Sequence, residues 1–236
     1  MASSFGIDLH SAIQLIHEDN ALLVLNKPSG MLCVPGKGAD KQDCLSARVL
    51  AQYPDALVVH RLDMATSGLV LMARGLRNQR VLNDAFASRR VGKRYTAVVS
   101  GNLMQPDDEW GLIDLPIMAD WPNRPLQRVD RESGKPSATR WRLAGSNSSA
   151  GDCCQADANG EAIADTTRLE LEPLTGRTHQ LRVHLAAIGH PILGDALYAP
   201  AAARQRAARL LLHASQLGFL HPATGQAMQF DNPAPF

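Results

Sequence analysis

The sequence has no long apolar segment. Its longest purely apolar runs are residues 21–25 and 69–73, far below the roughly 20 residues that a membrane-spanning helix needs. No Lys or Arg precedes Lys27, and acidic residues interrupt the N-terminal region, whereas a secretory signal begins with basic residues and continues with an apolar core. We therefore expect neither a secreted protein nor a membrane partner.

Cysteine is also scarce. The four cysteines are Cys33, Cys44, Cys153 and Cys154, and no two of them form a CxxC pair. This spacing does not predict a zinc site, and we expect no metal. Reduced thiols in a cytoplasmic protein are the simplest interpretation.

Excess charge of either sign is absent as well. The net charge is +1 over 236 residues, with 45% hydrophobic and 20% charged residues, an ordinary globular composition. Residues 144–165 contain four acids and no base, which leaves 24 basic and 19 acidic residues elsewhere, a net charge of +5. The whole-chain value therefore understates the local positive field. We expect residues 144–165 to form an acidic surface insertion.

Predicted strands outnumber predicted helices and do not alternate strictly with them, which favours an α+β fold with a largely antiparallel sheet. We expect Asp43 to cap a helix that runs from Leu45 to Leu50, further helices at 76–88 and 179–188, and a loop at 116–125. The expected strands are residues 21–25, 68–73, 95–99, 137–143 and 167–171, with closing strands at 210–212 and 219–220.

Motifs of several other enzyme classes are incomplete. Ser67 lacks the flanking glycines of a nucleophile elbow, and no Gly-Lys-Ser/Thr follows Lys37 at the spacing of a phosphate-binding loop. His179 and His184 are five residues apart, not four as on a zinc-protease helix. A hydrolase that uses Asp63 with a histidine stays an alternative, although its usual motifs are missing.

Two segments combine charged side chains with apolar flanks. Residues 59–68 place Asp63 between two apolar strands, and residues 175–184 place two Arg and two His at the start of an amphipathic helix. A guanidinium beside Asp63 would keep the carboxylate ionised, as a nucleophile requires. An ordinary ion pair between strand and helix explains the same residues, so residue types alone leave both interpretations open.

Five conspicuous segments follow one another along the chain. They are Leu25-Asn26-Lys27-Pro28-Ser29-Gly30, His60-Arg61-Leu62-Asp63-Met64-Ala65-Thr66-Ser67-Gly68, Lys93-Arg94-Tyr95, Gly176-Arg177-Thr178-His179-Gln180-Leu181-Arg182 and Gly189-His190-Pro191-Ile192-Leu193-Gly194-Asp195. In this order they resemble the motifs of the RluA family of RNA pseudouridine synthases. The resemblance implies a single α+β catalytic domain over residues 1–236, a largely antiparallel mixed sheet flanked by helices, and a cleft across that sheet.

The resemblance implies that uridine is isomerised to pseudouridine, a reaction that needs no cofactor. Asp63 corresponds to the family's catalytic aspartate, and it could attack C1′ of the ribose, attack C6 of the uracil or remove the 2′ proton. Arg182 is the expected ion-pair partner of Asp63, with Arg177 as the alternative. Tyr95 is expected to stack on the uracil and to act as a base for the C5 proton.

Several further residues are expected to bind the RNA. Arg61 would fill the space that the extruded base vacates, and His60 would order the loop rather than transfer protons. Leu211 or Leu212 would form the floor of the uracil pocket, although core packing explains these leucines equally well. Expected phosphate contacts, with a solvated surface as the alternative, are Arg89, Arg90, Lys93 and Arg94.

Within the family, the sequence most resembles members that act on both tRNA and large-subunit rRNA. The segments that carry this resemblance are Asp120-Trp121-Pro122-Asn123-Arg124-Pro125, Gly134-Lys135-Pro136 and Arg209-Leu210-Leu211-Leu212-His213-Ala214. This similarity implies stem-loop substrates, with uridine 32 of the tRNA anticodon stem-loop and uridine 746 of 23S rRNA as targets. Another rRNA or tRNA uridine, or an RNA-binding module without catalysis, stays an alternative. Only about twenty residues precede the first expected strand, so we expect no N-terminal S4 domain. A monomer without an obligatory protein partner is expected.

Overall fold

The computed structural model describes residues 13–145 and 165–236. The described residues fall into two compact units. The first contains those up to Gly92 together with Ala214–Pro233, and the second those of Lys93–His213 together with Ala234–Phe236. Residues 146–164 of the expected acidic insertion, with Cys153 and Cys154, lie outside the described part of the chain.

The described residues form twelve strands and four α-helices. The strands are β1 (Gln14–Glu18), β2 (Leu22–Lys27), β3 (Ala56–Val58), β4 (Ser67–Arg74), β5 (Gly92–Ser100), β6 (Gly111–Asp114), β7 (Ile117–Ala119), β8 (Gln127–Val129), β9 (Ala138–Leu143), β10 (Thr166–Pro173), β11 (Leu212–Leu220) and β12 (Ala227–Asp231). The helices are α1 (Leu45–Leu50), α2 (Leu76–Ala87), α3 (Gln180–Ala187) and α4 (Ala201–Gln205). Within the described residues, no helix is long and apolar enough to cross a membrane.

The first unit is built on β2 and β4. These strands pair antiparallel, with β1 beside β2 and β3 beside β4, while β12 pairs antiparallel with β11. Nearly every side chain of β2 and β4 is buried, as expected for strands whose sequences are continuous apolar runs. Leu82 and Ala85 of α2 join Leu71 of β4 and Phe219 of β11 in one apolar cluster.

Gly68 allows a close approach of β11 to the start of β4. Its φ is +113°, and a Cβ at this position would lie 2.4 Å from the carbonyl oxygen of Ala214. Only glycine tolerates both the backbone angle and the contact. The segment after Asp63 therefore enters β4 in a geometry that a side chain at position 68 would prevent.

The second unit contains an antiparallel sheet in the order β5, β10, β9, β6, and a separate β7–β8 hairpin. On β10, the side chains of Thr167, Leu169 and Leu171 are buried, whereas those of Arg168 and Glu170 are partly exposed. Helix α3 contacts β8, β9 and β10. This arrangement places the charged start of α3 next to the hairpin.

The predicted α+β class with largely antiparallel pairing is confirmed. Three details of the sequence prediction are wrong. The carboxylate of Asp43 does not cap α1 but pairs with Arg48 at 2.6 Å, and Cys44 occupies the N-cap position. Residues 116–125 include β7, because the chain there pairs with β8. The two expected closing strands contribute to one strand, β11, with residues 210 and 211 preceding it.

Candidate active site

The loop that carries Asp63 is held by hydrogen bonds on both sides of this residue. The backbone N–H of Leu62 donates to Sγ of Cys33 at 3.2 Å. On the other side, the carbonyl oxygen of Met64 accepts from the backbone N–H of Gly30 at 2.8 Å, and Oγ of Ser29 donates to the carbonyl of Ala65 at 2.6 Å. The backbone around Asp63 is therefore fixed by the turn that follows β2.

Lys27 is the buried centre of this arrangement. Its side chain is fully buried, and its ammonium group donates to the carbonyl oxygens of Pro28 and Met31, both at 2.8 Å, and of Met64 at 3.1 Å. Hydrogen bonds from a charged donor are among the stronger ones in proteins. Lys27 thus connects the turn after β2 to the residue next to Asp63.

Cys33 acts here as a hydrogen-bond acceptor. Burial raises the pKa of its thiol, because the thiolate loses solvation when the group leaves water. The thiol form still offers sulfur lone pairs to the N–H of Leu62. Cys33 therefore stabilises the loop without ionising.

His60 is engaged in the structure of the same loop. Its Nε2 accepts a hydrogen bond from the backbone N–H of Leu71 at 2.9 Å, and its ring stacks on Phe86 with centroids 4.6 Å apart. A nitrogen that accepts an N–H cannot carry a proton at the same time. This geometry favours the loop-ordering role that the sequence suggested for His60. The neighbouring Arg61 is exposed.

Arg182 belongs to the second unit and forms a buried ion pair with Asp195. Its Nε and Nη2 donate to the two carboxylate oxygens at 2.8 and 2.7 Å, and the side chains are only 5% and 1% exposed. Asp195 also accepts the backbone N–H groups of Leu197 and Tyr198. These hydrogen bonds therefore hold the guanidinium in one orientation. A guanidinium has five N–H donors, and the bonds to Asp195 use two of them.

Tyr198 continues this network. Its ring lies 5.1 Å from the guanidinium carbon of Arg182, and its hydroxyl is 2.6 Å from Nδ1 of His179. His179 adopts a left-handed conformation, with φ of 55°, immediately before α3. Arg177 lies just before this point, is exposed, and donates from Nε to the carbonyl of Pro136 at 3.2 Å.

The remaining predicted residues of the second unit lie on β5 and around the start of β11. Tyr95 is partly buried on β5 and stands opposite Leu171 of β10. Leu211 and Leu212 are 7% and 3% exposed. The backbone of Leu211 donates to the carbonyl of Leu193 at 3.0 Å. Both leucines are core residues.

The four cations around the end of α2 differ in their surroundings. Arg90 pairs with Asp84. Arg94 pairs with Glu170 at 2.8 Å, and burial lowers the pKa of Lys93. Arg89 is exposed, and among the described residues it has no carboxylate within ion-pair distance. The expected phosphate contacts are therefore not equivalent.

His184 is a structural residue. It is fully buried, its Nε2 is 2.9 Å from the carbonyl of Leu115, and its Nδ1 is 2.9 Å from Oγ1 of Thr139. Burial lowers the pKa of this imidazole. Within the described part of the chain, no group of three or more His, Cys, Asp and Glu side chains could hold a metal ion.

Sequence reasoning missed the parts played by Lys27, Cys33, Asp195 and Tyr198. Lys27 and Asp195 stand inside segments that carry the family resemblance, so their positions were marked but their contacts were not. Cys33 is a lone cysteine, and Tyr198 stands outside every motif. No signal in the sequence alone points to the last two.

Comparison with protein families assigns the class. The model of the RNA pseudouridylate synthase family matches residues 21–187, more than half of the chain. The chain therefore belongs to the family of RNA pseudouridine synthases, and the predicted activity, isomerisation of uridine to pseudouridine in RNA, is confirmed at this level.

Individual relatives show which members of the family the chain resembles. The dual-specificity RNA pseudouridine synthase RluA of Escherichia coli (strain K12) is 45% identical over 223 residues, which are 94% of this chain and 93% of that protein. The RluA of Vibrio parahaemolyticus is 46% identical over 88% of this chain and 78% of that protein. The predicted similarity to the RluA family is thus confirmed.

A solved structure supports the fold. The structure of human RNA pseudouridylate synthase domain containing 1 has a TM-score of 0.72 and 26% sequence identity. The match covers 95% of this chain and 84% of that one. The fold derived from the strand pairings is therefore that of a known pseudouridine synthase relative.

Proposed function

We propose that this protein modifies uridines in both tRNA and large-subunit rRNA, with residues 1–236 working as a single catalytic domain. The relatives named dual-specificity enzymes support the two RNA classes. The expected targets are uridine 32 of the anticodon stem-loop and uridine 746 of 23S rRNA. Unpaired loop bases suit such an enzyme, because sequence-specific RNA recognition mostly uses splayed-out bases. Both RNAs occur in the cytoplasm, where we propose that the protein works as a monomer.

Asp63 is the proposed catalytic carboxylate. The observation that carries this assignment is the fixation of the loop on both sides of Asp63, by Cys33 at Leu62 and by Lys27 at Met64. A group that reacts with one atom of an extruded nucleotide gains from such pre-organisation, since misplacement by an ångström can cost a large factor in rate. Whichever atom Asp63 engages, the bond from N1 to C1′ breaks and the bond from C5 to C1′ forms. The C5 proton leaves and N1 takes up a proton, so that the product is an isomer of the substrate.

Tyr95 and Arg182 are the proposed partners of Asp63 in the reaction. Tyr95 would stack on the uracil and accept the C5 proton. Arg182 would keep Asp63 ionised, and its burial with Asp195 supports the choice of Arg182 over the exposed Arg177. An arginine held by a second carboxylate keeps its orientation while the RNA enters and leaves.

Binding of the RNA backbone and base is assigned to further residues. Arg89 and Arg90 are the proposed phosphate contacts at the end of α2, with Lys93 and Arg94 beside Tyr95. Arg61 would occupy the space of the extruded uridine, and Leu211 and Leu212 would face the uracil. His60 would order the loop. These RNA-binding roles are expectations from the family resemblance. The exposure and the ion pairs of the individual residues make the roles testable.

The decisive experiment measures tritium release from RNA that carries 5-tritiated uridine. The Asp63→Asn variant should release no tritium and should still bind RNA, because the amide keeps the shape but cannot act as a carboxylate. Asp40→Asn is the matched control at an exposed position and should behave as wild type. Turnover by Asp63→Asn would contradict the catalytic assignment.

The targets require a separate measurement. Pseudouridine would be mapped across total RNA from cells with and without the gene, and modification at both proposed positions should vanish in its absence. Loss at other uridines would show different substrates. RNA binding without any change in pseudouridine would favour a binding module, and cleavage of the RNA would favour a hydrolase.

A further inference from the structure

The loop between β7 and β8 presents an exposed aromatic surface. Trp121 is 64% exposed, and the guanidinium carbon of Arg124 lies 3.4 Å from the centroid of its ring. Tryptophan is a large, mostly apolar side chain that usually gains by burial. Here one guanidinium covers part of the indole, and most of the side chain stays in contact with solvent.

This loop has a defined backbone. The N–H of Asp120 donates to the carbonyl of Leu126 at 2.9 Å, and the N–H of Leu126 donates to the carbonyl of Asn123 at 3.0 Å. The side-chain amide of Asn123 donates to the carboxylate of Asp120 at 3.0 Å. Trp121 is therefore held between hydrogen-bonded residues, so that little conformational entropy is lost when a flat ligand stacks on it.

The base of the same loop is attached to the buried arginine network. The backbone N–H of Gln127 donates to the hydroxyl of Tyr198 at 2.9 Å. Tyr198 is the residue that contacts His179 and the guanidinium of Arg182. Within the second unit, Tyr198 thus connects the two: its hydroxyl is hydrogen-bonded to the base of the Trp121 loop, and its ring contacts the proposed catalytic arginine.

The charges around Trp121 suit a polyanion. Arg124 and Arg128 are exposed, as are Arg131 and Lys135 at the other end of the hairpin. Of the acids, Asp130 accepts the N–H groups of Glu132 and Ser133 and pairs with Arg128. Asp120 accepts from Asn123. The acids are thus mostly used within the hairpin, while Arg124 offers its charge at the rim of the indole.

We propose that Trp121 and Arg124 form a stacking platform for an unpaired base of the substrate RNA, with the guanidinium of Arg124 near the adjoining phosphate. Every base has a π-face, so an exposed aromatic ring binds single-stranded nucleotides without reading their sequence. Arginine adds both stacking and phosphate contact. The proposal rests on the proposed function in one respect, namely that the substrate is a stem-loop with unpaired bases.

The test combines variants of Trp121 with abasic substitutions in the loop of the anticodon stem-loop RNA. Trp121→Ala should raise Kd about 5- to 140-fold, the range that corresponds to the loss of one base stack, with kcat nearly unchanged because the stack also exists before the reaction. Trp121→Phe should retain most of the affinity. Leu76→Ala, at a residue of equal exposure on α2, is the control and should bind as wild type.

One abasic position should abolish the difference between wild type and Trp121→Ala, which identifies the stacked base. Indole fluorescence should fall on binding in wild type, and Trp121→Phe should lose this change, although Trp110 and Trp141 remain. Equal Kd values for wild type and Trp121→Ala would overturn the platform. So would self-association that only Trp121→Ala abolishes, because Trp121 would then contact a second copy. Tight binding without pseudouridine formation would refute the proposed target and leave the platform standing.

Discussion

Replacing Lys27 by Met tests whether the buried ammonium group holds the Asp63 loop. Methionine has nearly the same length and an apolar end, so the change removes the charge and the three hydrogen bonds with little change in volume. The carbonyl of Met64 keeps its bond from the N–H of Gly30. The carbonyls of Pro28 and Met31 lose the ammonium donor.

The expected loss of stability follows from the two ammonium hydrogen bonds at the carbonyls of Pro28 and Met31. A hydrogen bond to a charged group contributes about 1.5–3 kcal/mol net, which gives about 3–6 kcal/mol for two. Removal of the ammonium group also removes the cost of burying its charge. The free energy of unfolding should therefore fall by about 3 kcal/mol, the lower end of this range. For a chain of this size, this loss corresponds to a Tm lower by about 6–12 °C.

The assay is chemical unfolding followed by circular dichroism, together with the rate of pseudouridine formation well below the new Tm. Lys27→Met should lose stability, and kcat should fall because the loop next to Asp63 loses the ammonium hydrogen bond at Met64. Lys37→Met makes the same change at an exposed position and should leave both quantities unchanged. Stability within about 0.5 kcal/mol of wild type, the range of ordinary surface substitutions, would refute the role given to Lys27.

Three further changes test other parts of the molecule. Asp195→Asn removes the carboxylate that holds the buried guanidinium of Arg182 through two hydrogen bonds and should cost about 3–5 kcal/mol in an unfolding titration, with kcat reduced more than KM is raised. Replacing Arg89 and Arg90 by Ala should flatten the log–log dependence of Kd on salt by up to about 1.4 on single-stranded RNA, and unchanged slopes would leave them as solvated residues. Burial lowers the pKa of His184 below its ordinary 6.5, so the unfolded state binds the proton first and stability should fall as the pH drops below about 6.5. His184→Gln should weaken this pH dependence of Tm.

The strands of the first unit could be predicted because their sequences are unusual. Residues 21–25 and 69–73 are unbroken apolar runs. In the structure they lie in β2 and β4, apart from Ala21 just before β2, and every one of them is buried. Helix α2 could also be predicted from the sequence, since its apolar residues recur at helical spacing. In these elements local preference and final environment agree, so the sequence pattern was sufficient.

Other elements depend on particular partners that residue type alone does not specify. Residues 117–119 are flanked by prolines and predict a loop, yet they form β7 because β8 supplies the hydrogen bonds. Asp43 is a good N-cap residue by type, but its carboxylate forms an ion pair with Arg48 at 2.6 Å instead. Pairings of this kind override the preferences of single residues.

The candidate site likewise has a part that the sequence predicted and a part that it did not. Asp63 and Arg182 were selected by the segments around them, whereas the contacts that hold them in place were not. Cys33 supplies its sulfur acceptor from 29 positions before Leu62, and Asp195 reaches Arg182 from 13 positions further along the chain. Supporting contacts of this type depend on the fold and not on a motif, and only coordinates reveal them.

Charge counted along the chain also differs from charge in space. Arg140 and Arg142 belong to a basic run in the sequence, but the register of β9 against β10 sets them opposite Glu172 and Glu170. Arg142 pairs with Glu170 at 2.8 Å, and Arg140 lies 3.5 Å from Glu172. This part of the sheet surface is therefore nearly neutral and makes a weak site for phosphate. The positive field that attracts RNA must come from cations without such neighbours. Arg124 beside Trp121 and Arg89 after α2 are therefore better candidates for phosphate contacts than Arg140 and Arg142.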